Sequence, residues 1–482
     1  MGVLEEIETN ISKAIDSATD NADAAIEVAK KAATGAIHVT DGAVSKAGEI
    51  AKKYKLDEAA ASAAKSVGQM VEEVSKKYPL AGRAVELGRS AMDVAGEVSS
   101  DIMESGFNKS DLERDRFMLR GKLAEQGYDC WRQFFTGHNA ATGEEKSFFL
   151  CFFAINPALG TDSAILGQSE ETQSKGIKPS YLMVKAGVWG EDPRQLNRFF
   201  PWKKVSMNEG APFSISADNC FLSETRSLGR VCLRPEEVKA HPEWMSDAGD
   251  LIWDLHIDKK IAFNIGYGAG KAMRDQEALQ MLWHVEGMKT AYEGRVVYNG
   301  QIYMVRPETS FGYADKNWGS DFTRPWIWLA SNDLTSKISG DKLSNSAFAI
   351  GGGKPKIGNL EVENGLLGAI WHEGEAYQFN FSHVWTLTKT RYKVKVGKDY
   401  IRWRMIQETP LSKMYTDIQC PRKDMAQLSY ETPDGQIRHD KFWCGGTGTG
   451  SIKLYRKSLK KDWKWELVDE IEAAHVGCEY GD

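Results

Sequence analysis

The sequence predicts a mainly β protein, built as two consecutive antiparallel barrels or sandwiches behind an Ala-rich helical segment. Three observations carry that prediction. From residue 128 onward, apolar or alternating runs recur roughly every ten to fifteen residues, separated by Gly, Asn and Asp, with little helical periodicity. All 15 tryptophans lie between Trp131 and Trp465, whereas the first 110 residues are Ala-rich, nearly free of aromatics and dense in Lys, Asp and Glu. A length of 482 residues exceeds one ordinary domain. The expected division is an amphipathic helical or partly disordered segment over 1–110, a first barrel with a leading helix over 111–305, and a second barrel over 306–482.

In the N-terminal segment, small apolar residues recur with an eleven-residue period: Ile15, Ile26 and Ile37 in one row, Ile11, Ala22, Ala33 and Val44 in another. That period is about 3.67 residues per turn, so a straight helix keeps the stripe on one side. The stripe is mostly Ala and therefore shallow, which suits a lipid-surface or desiccation-protective helix, a loose bundle or a disordered tail. Gly35, Gly42, Gly48, Gly68 and Pro79 divide it. A further helix is predicted over 111–126, before Gly127.

Strands follow. Residues 147–155 form a continuous apolar run stopped by Asn156-Pro157, and 181–189 form another candidate. Alternation marks 213–217, 251–256 and 295–298, and Asn299-Gly300 is a hairpin turn leading into 301–305. Runs at 347–350, 365–371, 376–381, 384–387, 392–396, 400–405, 450–455 and 463–467 complete the second half. A barrel of this kind has an interior able to hold an apolar ligand.

A net charge of −6 supplies no basic field, which argues against nucleic acid as a partner. The seven cysteines include no Cys-x-x-Cys pair and the nine histidines show no metal-binding spacing, so neither a disulfide framework nor a metal site is expected. The acidic N-terminus lacks the apolar core of a secretory signal, and no apolar run is long enough to span a bilayer. A cytoplasmic setting is expected, with residues 1–110 as the candidate contact to membranes or lipid bodies. The run 264–271 has Ile265 and then Ala272 where a phosphate loop needs Gly and Ser or Thr, so no nucleotide site is read there. His256, His284, His372 and His383 sit on separate predicted strands and read as ordinary sheet residues.

Residues 306–331 concentrate what a ligand pocket requires. Trp318, Trp326 and Trp328 stand among Asp315, Lys316, Asn317, Asp321 and Arg324. Aromatic faces beside a few placed polar groups suit an apolar pocket with an acid or a donor in it; a tight turn whose tryptophans pack a β core is the alternative. Tyr313-Ala-Asp-Lys-Asn-Trp-Gly319, followed by Trp326-Ile-Trp328, resembles the signature of the tocopherol cyclase family, Tyr-x-Glu-Lys-Asn-Trp-Gly and then Trp-x-Trp. Weaker motifs fall in the family's order: Asp129-Cys-Trp131, Cys151 through Pro157, Trp253-Asp254, Ile265-Gly-Tyr-Gly268, Gly351-Gly-Gly353 and Tyr377-Gln-Phe379. The likeness spans about residues 125–480 and leaves the first 110 without a counterpart.

The resemblance implies two lipocalin-like barrels and an isomerase that closes a chromanol ring on a prenylated quinol, with no cofactor and no metal. A proton adds to a trisubstituted alkene and the phenolic oxygen captures the tertiary cation. Asp315 is the implied acid, since burial among aromatics raises a carboxyl's pKa, and Asp254 is the second choice. Trp318, Trp326, Trp328, Trp131 and Trp253 are the implied substrate-binding walls, and Asn317 would orient the quinol oxygen. Lys316 would oppose the acid role if it paired with Asp315. Two positions depart from the family: Arg132 replaces a Tyr, costly against an apolar cavity unless paired, and Asp315 replaces a Glu one methylene longer.

Three function classes stay open: a ring-closing enzyme acting on a prenylated quinol or similar long apolar molecule, a lipocalin-like carrier of a hydrophobic ligand, and a lipid-surface or stress protein led by the N-terminal helices. A cavity carboxyl without a compensating partner favours the enzyme; an uncharged cavity favours the carrier.

Overall fold

Alternation along the strands builds two antiparallel sheets that share a seam. The computed structural model describes residues 112–210, 212–263, 279–357, 360–361, 365–380, 388–436, 438–457 and 464–481. The Ala-rich segment 1–110, the run 264–271 and the predicted strand 384–387 lie outside them. The first sheet has twelve strands, the last of which is Gly312–Gly319. Its central strand, Tyr128–Asn139, pairs with Glu145–Ile155 on one side; on the other it meets Gln301–Val305 at one end and Gly312–Gly319 at the other. The second sheet has eleven strands and begins at Trp326–Ser331. There the long C-terminal strand Trp465–Gly481 lies between Trp326–Ser331 and Arg438–Lys457.

Each sheet curls around its own apolar core, and a third core fills the seam between them. The run 147–155 shows how. Phe148, Leu150, Phe152 and Ala154 enter the core of the first barrel, while Phe149, Cys151, Phe153 and Ile155 enter the seam. A strand apolar on both faces is one buried on both faces. The same division recurs in the second sheet, where Ile327 and Leu329 turn inward and Trp326 and Trp328 turn to the seam.

The Asn299-Gly300 hairpin forms as expected, with positive φ at both residues (49° and 81°). Two expectations do not hold. The predicted helix over 111–126 is reduced to Leu112–Asp115 and a single 3-10 turn at Gly121–Ala124. Between them Phe117 and Leu119 are buried in the first barrel's core, Phe117 stacks on Trp131, and the Trp131 indole N–H donates to the Asp115 carbonyl at 2.8 Å. Tertiary packing overrides helical propensity there. The sheets also change over between Gly319 and Trp326 rather than at residue 305, because Gly312–Gly319 pairs with both Tyr128–Asn139 and Met281–Tyr298 of the first sheet. Among the described residues no helix is long and apolar enough to cross a membrane.

Candidate ligand site between the two sheets

Register places Arg132 directly opposite Asp315 on neighbouring strands, both turned toward the seam. The guanidinium grips Asp315 side-on, Nε to Oδ1 at 2.8 Å and Nη2 to Oδ2 at 2.5 Å. Its Nη1 reaches across the seam and donates to both oxygens of Glu479, at 2.8 and 2.6 Å. The indole of Trp283 (2.7 Å) and the hydroxyl of Tyr313 (3.0 Å) also donate to Asp315, and Trp328 donates to that hydroxyl. The Trp326 indole (2.8 Å) and the Cys444 thiol (3.3 Å) donate to Glu479. Asp315 is 0% exposed, Glu479 1% and Arg132 5%.

Burial works against the charge on Arg132, but Asp315 and then Glu479 outweigh it and hold the guanidinium protonated. Each neighbour of the two carboxyls donates to them, so both act as acceptors. Two acidic side chains thus share one guanidinium. A buried network is stable only when its members are satisfied, and here three tryptophan N–H groups, a phenol and a thiol complete it.

Beside this network lies a small cavity of about 40 Å³. Phe322, Trp326, Tyr430 and Phe442 form aromatic walls, and Asn317, Thr323, Arg324, Arg132 and His439 supply polar groups. A largely apolar hollow with a few convergent polar groups is the usual form of a small-molecule site. The barrel interiors, by contrast, are packed with side chains, Trp253 in the first and Trp403 in the second. This cavity lies between the barrels, not inside one.

Residues 280–482 match the family model described as tocopherol cyclase-like. This part of the chain is similar to that family. The match takes in the Tyr313–Gly319 motif and the whole second sheet, and leaves residues 125–279 outside. Among solved structures, an AttH protein of Nitrosomonas europaea aligns at 10% identity over 72% of this chain and 93% of its own, with a TM-score of 0.37. Kievitone hydratase of Nectria haematococca aligns at 10% identity over 77% and 95%, also with a TM-score of 0.37. Scores this low carry no argument about function. No curated protein matches the chain.

Within the tocopherol cyclase-like region, Asn317 and Trp326 line the cavity. Asp315 does not line it; the carboxyl expected to carry a transferable proton accepts four hydrogen bonds instead. Lys316 does not pair with Asp315. It points the other way, 3.0 Å from Asp129 and over the rings of Trp131 and Trp318. Burial pushes the Asp129 carboxyl up to about 6, with Lys316 pulling against it. Trp328 sits in a smaller hollow beside Phe134 and His475, and Trp318 faces a wider one with Met118 and Leu282.

The first-sheet candidates lie away from the cavity. Trp131 and Trp253 are core residues of the first barrel, their indoles bonded to the Asp115 carbonyl and the Ser227 hydroxyl. Asp254 faces outward with its side chain 48% exposed, paired to Arg226 at 3.1 Å. Sequence reasoning missed Glu479, Phe322, Tyr430, His439 and Phe442. None of them stands out in the sequence by motif or spacing. The paired state of Arg132 answers the cost noted for that departure.

Proposed function

We propose that the seam cavity binds a long apolar molecule bearing a polar ring, such as a prenylated quinol, and closes a ring on it by way of a cation. The observation that carries this reading is the aromatic-lined cavity set against the buried Asp315–Arg132–Glu479 network. Ring closure of this kind is an isomerisation: a proton adds to the alkene, the phenolic oxygen attacks the tertiary carbon, and the oxygen gives a proton back. The developing positive charge would meet the faces of Trp326, Tyr430 and Phe442 and the field of the Asp315–Arg132–Glu479 network. Asn317 would orient the ring oxygen. Asp315 then acts through charge and positioning, and the lining imidazole of His439 relays the proton to the alkene and takes it back from the oxygen. The tocopherol cyclase-like match over 280–482 supports the reaction class.

One observation favours a second reading, a carrier without chemistry. Both seam carboxylates are compensated, and no carboxylate stands among the residues lining the cavity. The deciding experiment incubates the full chain with a panel of prenylated quinols, following ring-closed product by chromatography and binding by tryptophan quenching. Product formation that falls in Asn317→Ala and His439→Gln supports the enzyme. Saturable quenching with no product on any panel member leaves the carrier.

A further inference from the structure

The cavity wall carries two buried polar atoms with no hydrogen-bond partner among the described residues: Thr323 Oγ1 and Arg324 Nε. They belong to adjacent residues, both lining the cavity, and Thr323 is 1% exposed. Buried donors are ordinarily paired, so two neighbouring orphans at the edge of an apolar hollow mark where a ligand's polar atoms belong. Arg324 has donors to spare. Its Nη2 donates to His439 Nε2 at 2.9 Å, and the carboxylate it pairs with, Asp321, stands 3.7 Å away with a side chain 44% exposed. The other lining guanidinium, Arg132, is committed to Asp315 and Glu479 through four hydrogen bonds and has no such role open.

We propose that the cavity selects a ligand with an acidic oxygen at its head, a carboxylate or the ionised hydroxyl of a phenol or enol. That oxygen accepts from Arg324 Nε and from Thr323 Oγ1, and the apolar tail runs along Phe322, Tyr430 and Phe442. A guanidinium holds such an oxygen by a charge-assisted bond, roughly twice as strong as a neutral one, and Thr323 Oγ1 supplies a second donor beside it. The inference rests on the reading of this cavity as the ligand site and adds the class of head group.

The test uses the full chain and tail-matched probes: laurate, methyl laurate and a dodecyl-substituted nitrophenol that is ionised at neutral pH. Affinities are read by tryptophan quenching. The expected result is that laurate, the nitrophenolate or both bind at least about tenfold tighter than the ester, and which acid leads distinguishes carboxylate from phenolate. In Arg324→Gln and in Thr323→Val that advantage shrinks while ester affinity holds. Equal affinity of acids and ester in the wild type overturns the inference and leaves the cavity reading intact, and it needs no variant to fold. An advantage that survives in both variants also overturns it. If no probe binds, the cavity reading falls and the inference with it.

Discussion

Replacing Arg132 by Met tests the seam network most sharply. The substitution keeps an apolar chain of similar length and removes the one cation between Asp315 and Glu479, whose side chains are 0% and 1% exposed. Removing one partner of a buried ion pair costs about 3–5 kcal/mol, because the remaining charge stays buried without compensation. Here two carboxylates lose their partner together, so the loss falls at the upper end, about 5 kcal/mol. Against a typical domain stability of about 5–15 kcal/mol, that brings the variant close to unfolding at room temperature. Guanidinium unfolding followed by tryptophan fluorescence measures it, with Trp283 and Trp326 as reporters bonded to the two acids. The triple variant Arg132→Met/Asp315→Asn/Glu479→Gln should recover more than half of the loss. A loss below about 1 kcal/mol, the level of an exposed surface pair, would refute the description of the network as buried and charged.

Three further outcomes are expected. Burial alone would lower the pKa of His475, but hydrogen bonds to Asp333 (2.6 Å) and Glu145 (2.7 Å) outweigh it and push the imidazole up to about 9. Because that value lies above the unfolded one, the stability it contributes is fully present below about pH 6.5 and is lost as pH rises through about 9. His475→Gln should flatten the urea-midpoint profile between pH 7 and 10. Burial likewise pushes Glu286 up to about 8, Lys259 pulling it down while Asp115 and Glu224 push it further up. Its contribution is present below the ordinary carboxylate range and lost as pH rises through about 8. Glu286→Gln, which resembles the protonated acid, should be more stable than wild type at pH 9 by roughly 1–3 kcal/mol, measured by thermal melts. Asp254→Asn removes only an exposed ion pair, so stability should change by less than about 1 kcal/mol and quinol binding not at all.

The fold was legible in the sequence where a pattern reports burial locally. The run 147–155 announces a strand covered on both faces, and Asn299-Gly300 announces its hairpin, since both signals are complete within a few residues. The helix over 111–126 failed because its apolar positions answer to Trp131 and the first barrel's core, contacts that local periodicity does not encode. The site was legible in part. The Tyr313–Gly319 motif points to the seam, yet its chemistry is decided by register. Arg132 faces Asp315 because two strands pair at that offset, and Glu479 arrives from the opposite sheet. A reading of neighbours in sequence set Lys316 beside Asp315, but strand alternation sends successive side chains to opposite faces. Trp131, Trp253 and Trp328 drew attention as pocket walls, although a buried indole needs only an acceptor, and each finds one in the protein.

The central claim is that the ligand lies between the two barrels. It is tested most directly by a prenylated quinol carrying a photoreactive diazirine on its tail, irradiated on the full chain and mapped by mass spectrometry. Adducts should fall at Phe322 to Trp326 and at Tyr430 to Phe442, and excess unlabelled quinol should suppress them. Saturable labelling of barrel-interior residues such as Trp253 or Trp403, with none at the seam, would contradict the account.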